Sequence, residues 1–193
     1  MTKEIDFYFD FISPYTYLAH KKIQSLPNNI KINYKPILLG GLHNLQGITA
    51  PAFIKSKLKN MINDCRLIAE KNGFAFKWNT KFPLNSLNIM RGCFCINPTF
   101  KDQYINIIFN AYWNDNLDIA NEETLTLLLK ECKIDSNNFF KVIKDPVIKD
   151  KLKDATKEAH EKDVFGAPSF IVNKKIFWGQ DRLIYALDEY RNN

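Results

Sequence analysis

No pair of cysteines in this 193-residue chain encloses two residues. Cys93 and Cys95 flank Phe94 alone, and Cys65 and Cys132 lie far from both, so neither the usual dithiol redox motif nor a spaced zinc set is present. His20, His43 and His160 stand too far off in sequence to complete a metal site with them. The four thiols are therefore expected to be buried structural side chains, and no metal is expected. Also lacking is a GxSxG elbow, the usual setting of a hydrolytic serine. There is no aromatic-basic ladder or dense basic arm either. The lysines behind the formal charge of +6 are scattered, which suits anionic small ligands better than nucleic acid. Neither a secretory leader nor an apolar run long enough for a bilayer is legible, so a reducing, cytoplasmic setting without membrane contact is expected.

What remains is bulk and pattern. A chain of 22.5 kDa can bury roughly two thirds of its unfolded surface, enough for one fold with a substantial insertion. "EIDFYFDF" alternates acidic and bulky apolar residues before turning mostly apolar, as a central strand does. "SPYTYLAHKKIQSL" reads as a helix with Ser13 at its N-cap and Pro14 at N1, where a missing backbone donor costs no helical hydrogen bond. Leu18, Ile23 and Leu26 are available for its buried face. "NIKINYKPI" supplies the next strand and closes a βαβ unit. From "APAFIKSKLKNMINDCRLIAEKNG" to about residue 162 the period is helical, punctuated by asparagine, glycine and proline. "PSFIVNKKIFWG" restores two short strands around "NKK", and "QDRLIYALDEY" adds a helix whose Leu183, Ile184 and Leu187 can cover a sheet. The expectation is an α/β fold in which βαβ and ββα halves, residues 1–40 and 163–193, make one domain around an all-helical insertion over 41–162.

Ser13 is the first candidate for chemistry. A helix N-terminus offers unpaired donors and a positive end that can stabilise a thiolate or carboxylate, and a serine hydroxyl can add one more donor there. The same stretch reads equally well as a plain Ser-Pro cap. No base for a nucleophilic serine is identifiable among the three histidines, whereas a ligand that brings its own thiol needs none. Pro168, just before a strand, can take the cis form and leave the backbone of Ala167 free to pair with an extended peptide, or can be an ordinary strand-start proline. If the two halves share one sheet, the Ser13 tip and the Pro168 turn meet at one end. Gln180 and Asp181 at the mouth of the last helix can hold a carboxylate or amide and an ammonium group, or can simply cap and solvate it. Trp178 can wall an aromatic pocket or pack in the core.

Taken in order, "DFYFDFISPYTYLA", "FPLNSLNIMR", "IIFNAYW", "VFGAPSFIV" and "FWGQDRL" resemble the 2-hydroxychromene-2-carboxylate isomerase family, part of the DsbA-like thioredoxin superfamily and related to kappa-class glutathione transferases. The resemblance spans nearly the whole chain. It implies a thioredoxin-like core with a helical insertion, a cytoplasmic homodimer, and glutathione held across the core. It further implies that Ser13 orients the glutathione sulfur, that Ala167 and cis-Pro168 clamp the tripeptide, and that Trp178, Gly179, Gln180 and Asp181 continue its site. Lys57 is implied as a basic ligand contact, and Leu84 and Asn85 as a loop for the organic substrate. Read without the family, Lys57 is a solvated helix lysine and Asn85 a helix cap. Ile48 departs from the pattern, standing where several relatives place a ligand-binding asparagine.

The function expected is a glutathione-dependent isomerase that turns 2-hydroxychromene-2-carboxylate, or a related aromatic compound, into the trans-o-hydroxybenzylidenepyruvate type of product. Two other readings stay open. One is a glutathione transferase or peroxidase-like enzyme acting on another small electrophile, and the other a non-enzymatic peptide or redox-partner binding module. Ser13-Pro14-Tyr15-Thr16 stands where thioredoxins carry their thiols, so disulfide exchange is disfavoured.

Overall fold

A computed structural model describes residues 4–192, so the outermost ends of the two terminal segments, residues 1–3 and 193, lie outside the described residues. Strand β1 (Ile5–Phe9) runs through the middle of a four-stranded sheet of order β2-β1-β3-β4. Its parallel partner β2 (Ile32–Pro36) follows helix α1 (Pro14–Ile23), which makes the expected βαβ unit. The antiparallel partner β3 (Ser169–Val172) continues into β4 (Lys175–Trp178) through Asn173 and Lys174, both at positive φ, the conformation that a two-residue hairpin turn demands. Helix α9 (Leu183–Arg191) completes the ββα half.

Alternation along β1 decides which side chains face which layer. Phe7 and Phe9 lie in the larger hydrophobic cluster, where Phe7 stacks on Phe170 across the β1–β3 pair at 5.1 Å. Tyr8 belongs instead to a smaller cluster with Ile37, Leu42, Ala159 and Val164. That second layer is built by helices α2 (Leu39–Gln46) and α8 (Pro146–Glu161). The insertion between them adds a single 3₁₀ turn (Pro51–Phe53), α3 (Lys55–Asn72), α4 (Leu87–Gly92), α5 (Pro98–Trp113), α6 (Glu122–Glu131) and α7 (Ser136–Val142). Helix α8 thus returns to the sheet and packs against β2 and α2.

Three details differ from the sequence-based expectation. Helix α1 stops at Ile23, so Leu26 lies beyond its end and is only partly buried. Leu183 and Leu187 of α9 are buried, but Ile184 faces solvent, because only positions three and four apart share a helix face. Helix α2, with two glycines among its first three residues, carries no clear helical signal and forms all the same.

The four thiols are free, three of them buried and Cys95 half-buried. Burial pushes Cys95 and Cys132 up to about 11 and Cys65 and Cys93 further, so none is a thiolate near neutral pH. Among the described residues no helix is long and apolar enough to cross a membrane, and no group of three or more metal-ligating side chains gathers.

Helix α5 supports the segment that leads from β1 into α1. Phe109 packs against Phe11 at 4.8 Å, and the Trp113 indole N–H donates to the Phe11 carbonyl at 2.8 Å in a fully buried contact. Trp113→Phe keeps most of the packing but strands that carbonyl. It should cost about 1–3 kcal/mol in urea unfolding, whereas a loss below about 0.5 kcal/mol, the size of an ordinary surface change, would mean that the bond carries no weight.

Candidate active site

The N-terminus of α1 and the turn before β3 meet at one end of the sheet. Ser13 is the N-cap, and its hydroxyl oxygen accepts from the Thr16 N–H at 3.2 Å. The same hydroxyl donates to the Ala167 carbonyl at 2.9 Å. Ser13 is therefore a cap and a bridge at once. The Ala167–Pro168 bond is cis, and among the described residues the Ala167 N–H donates to no other group, so half of its backbone is engaged internally and half is free. The Tyr15 N–H at the helix tip is likewise unpaired among the described residues, as expected in a first turn.

Gly179 pairs with this turn through its N–H to the Pro168 carbonyl at 2.9 Å, and its φ of +116° suits glycine. Trp178 is 54% exposed and lies against Phe165 at 4.9 Å, so it walls the surface beside the turn and does not belong to the core. Gly166 is what admits it, since a Cβ there would stand 2.7 Å from the indole nitrogen. Gln180 is buried. Its side-chain oxygen and its carbonyl both accept from Lys22 of α1, the latter at 3.4 Å. Lys22 thereby fixes which end of the Gln180 amide remains free, namely the NH2 donor. Asp181 is half-exposed and pairs with Arg182 at 3.1 Å.

The remaining candidates sit further out. Lys57 is exposed in the first turn of α3. That helix is tied to the Ser13 segment by the Tyr15 hydroxyl, which donates to Asp64 at 2.8 Å. Leu84 is half-buried, and exposed Asn85 accepts from the Leu87 N–H at 3.0 Å, a capping contact at the start of α4. Ile48, just past the end of α2, is 47% exposed.

Two functional-looking residues escape the sequence reading. Asp10 is fully buried at the end of β1, three positions before Ser13; desolvation raises its pKa to about 6 although three donors pull the other way. The only sequence signal is an acid at the end of an apolar strand. His20, on the buried face of α1, stacks on Phe109 at 4.8 Å and has its ring nitrogens next to the Tyr34 hydroxyl at 2.8 Å and the Asn106 oxygen at 3.4 Å. Burial lowers its pKa to about 4, so the ring is neutral.

A β2-β1-β3-β4 sheet, with a cis-proline entering β3 beneath the tip of α1, defines a thioredoxin-like protein. The chain belongs to the DSBA-like thioredoxin domain family, which matches residues 4–191. It is 29% identical over 197 residues to a 2-hydroxychromene-2-carboxylate isomerase of Sphingobium xenophagum, covering 98% of each chain. It is 21% identical over 201 residues to glutathione S-transferase kappa 1 of Homo sapiens, covering 97% of this chain and 88% of that one. A solved 2-hydroxychromene-2-carboxylate isomerase superposes with a TM-score of 0.89 at 25% identity, over 97% of this chain and 94% of the other.

Asp10 and His20 oppose each other in their effect on stability. Asp10, raised from 3.8 to about 6, favours folding fully below 3.8 and loses that contribution as pH rises through 6. His20, lowered from 6.5 to about 4, favours folding above 6.5 and loses it as pH falls toward 4. Each shift corresponds to about 3 kcal/mol. Relative to the parent, Asp10→Asn should therefore gain stability more steeply between pH 4 and 6.5, and His20→Gln less steeply. Urea midpoints across that window check this; curves parallel to the parent would show that neither group titrates as its burial requires.

Proposed function

We propose that this chain is a glutathione-dependent isomerase that converts 2-hydroxychromene-2-carboxylate, or a related aromatic compound, to the trans-o-hydroxybenzylidenepyruvate type of product. The observation that carries this is the Ser13 hydroxyl at the tip of α1, 2.9 Å from the Ala167 carbonyl, in a segment without a thiol of its own. Similarity over nearly the full length of an isomerase supports the same reading.

The residues present fit a thiol-bearing tripeptide. Ala167 offers a free N–H, the tip of α1 offers the Tyr15 N–H, and Gln180 offers an amide NH2 suited to a carboxylate. Glutathione, when bound, supplies the nucleophilic thiol that Ser13–Thr16 lacks. The Ser13 hydroxyl, which donates to the Ala167 carbonyl, would be the donor to the sulfur, and the positive end of α1 would favour the thiolate. The Ala167 carbonyl so released would accept from the peptide backbone. Exposed Lys57 provides positive charge for an anionic ligand. Leu84 and Asn85 contribute to the wall for the organic substrate, as do Trp178 and Asp181 to the glutathione side. The chain works in the cytoplasm as a homodimer on this reading, and contacts neither nucleic acid nor membrane.

A second reading, a glutathione transferase acting on another small electrophile, is favoured by the apolar, exposed Ile48, which departs from the isomerase pattern, and by similarity to a kappa 1 transferase. Product analysis separates them: the isomerase returns glutathione unchanged, and the transferase accumulates a conjugate.

Chromene turnover is expected to need glutathione, and equal rates with and without it would refute the mechanism. Ser13→Ala should stay folded and bind glutathione while raising the bound thiol's pKa. Loss of one hydrogen bond to the sulfur, about 1.5–3 kcal/mol, predicts a rate lower by roughly 10- to 150-fold. Thiolate absorbance against pH and single-turnover rates measure both, with a melt beside them because loss of the cap costs about 0.5–2 kcal/mol in stability.

A further inference from the structure

The ammonium group of Lys22 grips one residue twice. It donates to the side-chain oxygen of Gln180 and, at 3.4 Å, to the Gln180 carbonyl. Lys22 stands in the last turn of α1, the helix that Ser13 caps. Side chains on a helix lean toward its N-terminus, so the long stem of Lys22 runs back in the direction of Ser13. Gln180 comes within its reach because the residue before it, Gly179, is tied to the cis-proline turn through its N–H to the Pro168 carbonyl at 2.9 Å. The Gly179 carbonyl in turn accepts from the Arg182 N–H at 3.1 Å, which closes the segment into a turn before α9. Gln180 is thus buried in a backbone held from both sides.

An ammonium carries three donors and no acceptor, so only the oxygen of the amide can face Lys22. A glutamine held in this way has a fixed polarity. Its NH2 donates to no other group among the described residues and is left for a ligand. Without Lys22 the amide could turn about its last torsion, which is roughly two-fold, and offer an oxygen as readily as an NH2. An oxygen in that place repels a carboxylate. Asp181 and Arg182 follow in the chain as a half-exposed ion pair at 3.1 Å, so the same turn carries both signs of charge. A donor beside such a pair suits an α-amino acid end, and glutathione has one such end, its glutamyl residue.

We propose that Lys22 is a positioning residue that sets the Gln180 amide to select the glutamyl carboxylate of glutathione. The proposal rests on the functional reading above in taking glutathione as the ligand of this turn. Lys22 touches no part of the ligand in this account and acts by excluding one of two orientations of the amide. Its loss lowers affinity for a ligand that bears the carboxylate, and does nothing to the thiol at the Ser13 end.

Calorimetry with two ligands tests it: glutathione, and 4-aminobutyryl-cysteinylglycine, the same tripeptide without the glutamyl carboxylate. The parent should prefer glutathione roughly 10- to 150-fold, the worth of one hydrogen bond to a charged group. Lys22→Met keeps the stem and removes the donors; it should lose part of that factor, binding glutathione roughly 3- to 10-fold more weakly and the analogue as the parent does. The loss should appear in KM for glutathione and not in kcat. Gln180→Leu should lose the whole preference, and the double variant no more than Gln180→Leu alone. Lys22→Arg, which also carries donors only, should keep it. Gln180→Glu leaves one oxygen to Lys22 and turns a second to the ligand, so it should prefer the analogue, and it decides the polarity if Lys22→Met does not fold. Equal weakening of both ligands in Lys22→Met would make Lys22 merely structural and overturns the proposal. So does a parent that binds the two ligands equally, or a double variant whose losses multiply, which would put Lys22 on the ligand itself. A parent that binds glutathione but leaves the chromene unchanged overturns the functional reading and not the role of Lys22; a parent that binds no glutathione overturns both.

Discussion

The hydrogen bond from Ser13 to the Ala167 carbonyl joins residues 154 positions apart in the chain. It is the point at which the βαβ and ββα halves become one site. Everything nearby is arranged to bring those two groups together: β1 lies between β2 and β3, so the helix that leaves its end reaches over the turn that opens β3. Trp113 fixes the Phe11 carbonyl two residues before Ser13, and Gly179 fixes the Pro168 carbonyl one residue after Ala167. On the proposed reading the bond is also exchanged in use. A hydroxyl has one proton, and it must leave Ala167 if it is to serve a sulfur.

Local signals made much of this legible from sequence. The Ser13-Pro14 cap, the helical periods and the "NKK" hairpin each depend on a few neighbouring residues, and each stands where it was expected. What could not be read depends on distant partners. Helix α2 contains the run Leu39-Gly40-Gly41, which has poor helix propensity, and it is held by the Asp10 carboxylate at its first N–H and by Leu42 among the second-layer apolar residues. Lys22 looks like an ordinary exposed helix lysine until Gln180, 158 positions later, folds against it. Ile184 is interchangeable with Leu183 and Leu187 in composition, and only the angular position on α9 separates them.

Of the candidate residues, Ser13, Ala167, Pro168 and Gly179 are gathered at one place, and Trp178 and Gln180 border it. Lys57 reaches the neighbourhood only through the helix that carries it, which Tyr15 and Asp64 anchor to the Ser13 segment. Asn85 accepts from the Leu87 N–H at the start of α4 and so stays with its own helix. The α3 segment is thus fastened to the centre by a polar bond that the sequence does not announce, because neither Tyr15 nor Asp64 has a distinctive neighbourhood of its own.

The absence of a dithiol changes the kind of reaction such a fold can run. Electron exchange needs two thiols that can close on each other, and here both ends of the tip segment are hydroxyls, Ser13 and the fully buried Thr16. Neither hydroxyl can be oxidised to a disulfide or be ionised near neutral pH. What such a tip can still do is orient and acidify a thiol carried in from outside, since the helix end and the donor at Ser13 act on whatever anion occupies that place. The four cysteines elsewhere do not compete for the role, because burial keeps every one of them protonated. On the proposed reading, the chemistry at this tip is that of an external thiol while it is held: it adds to an electrophile and, if the adduct is allowed to collapse, leaves again.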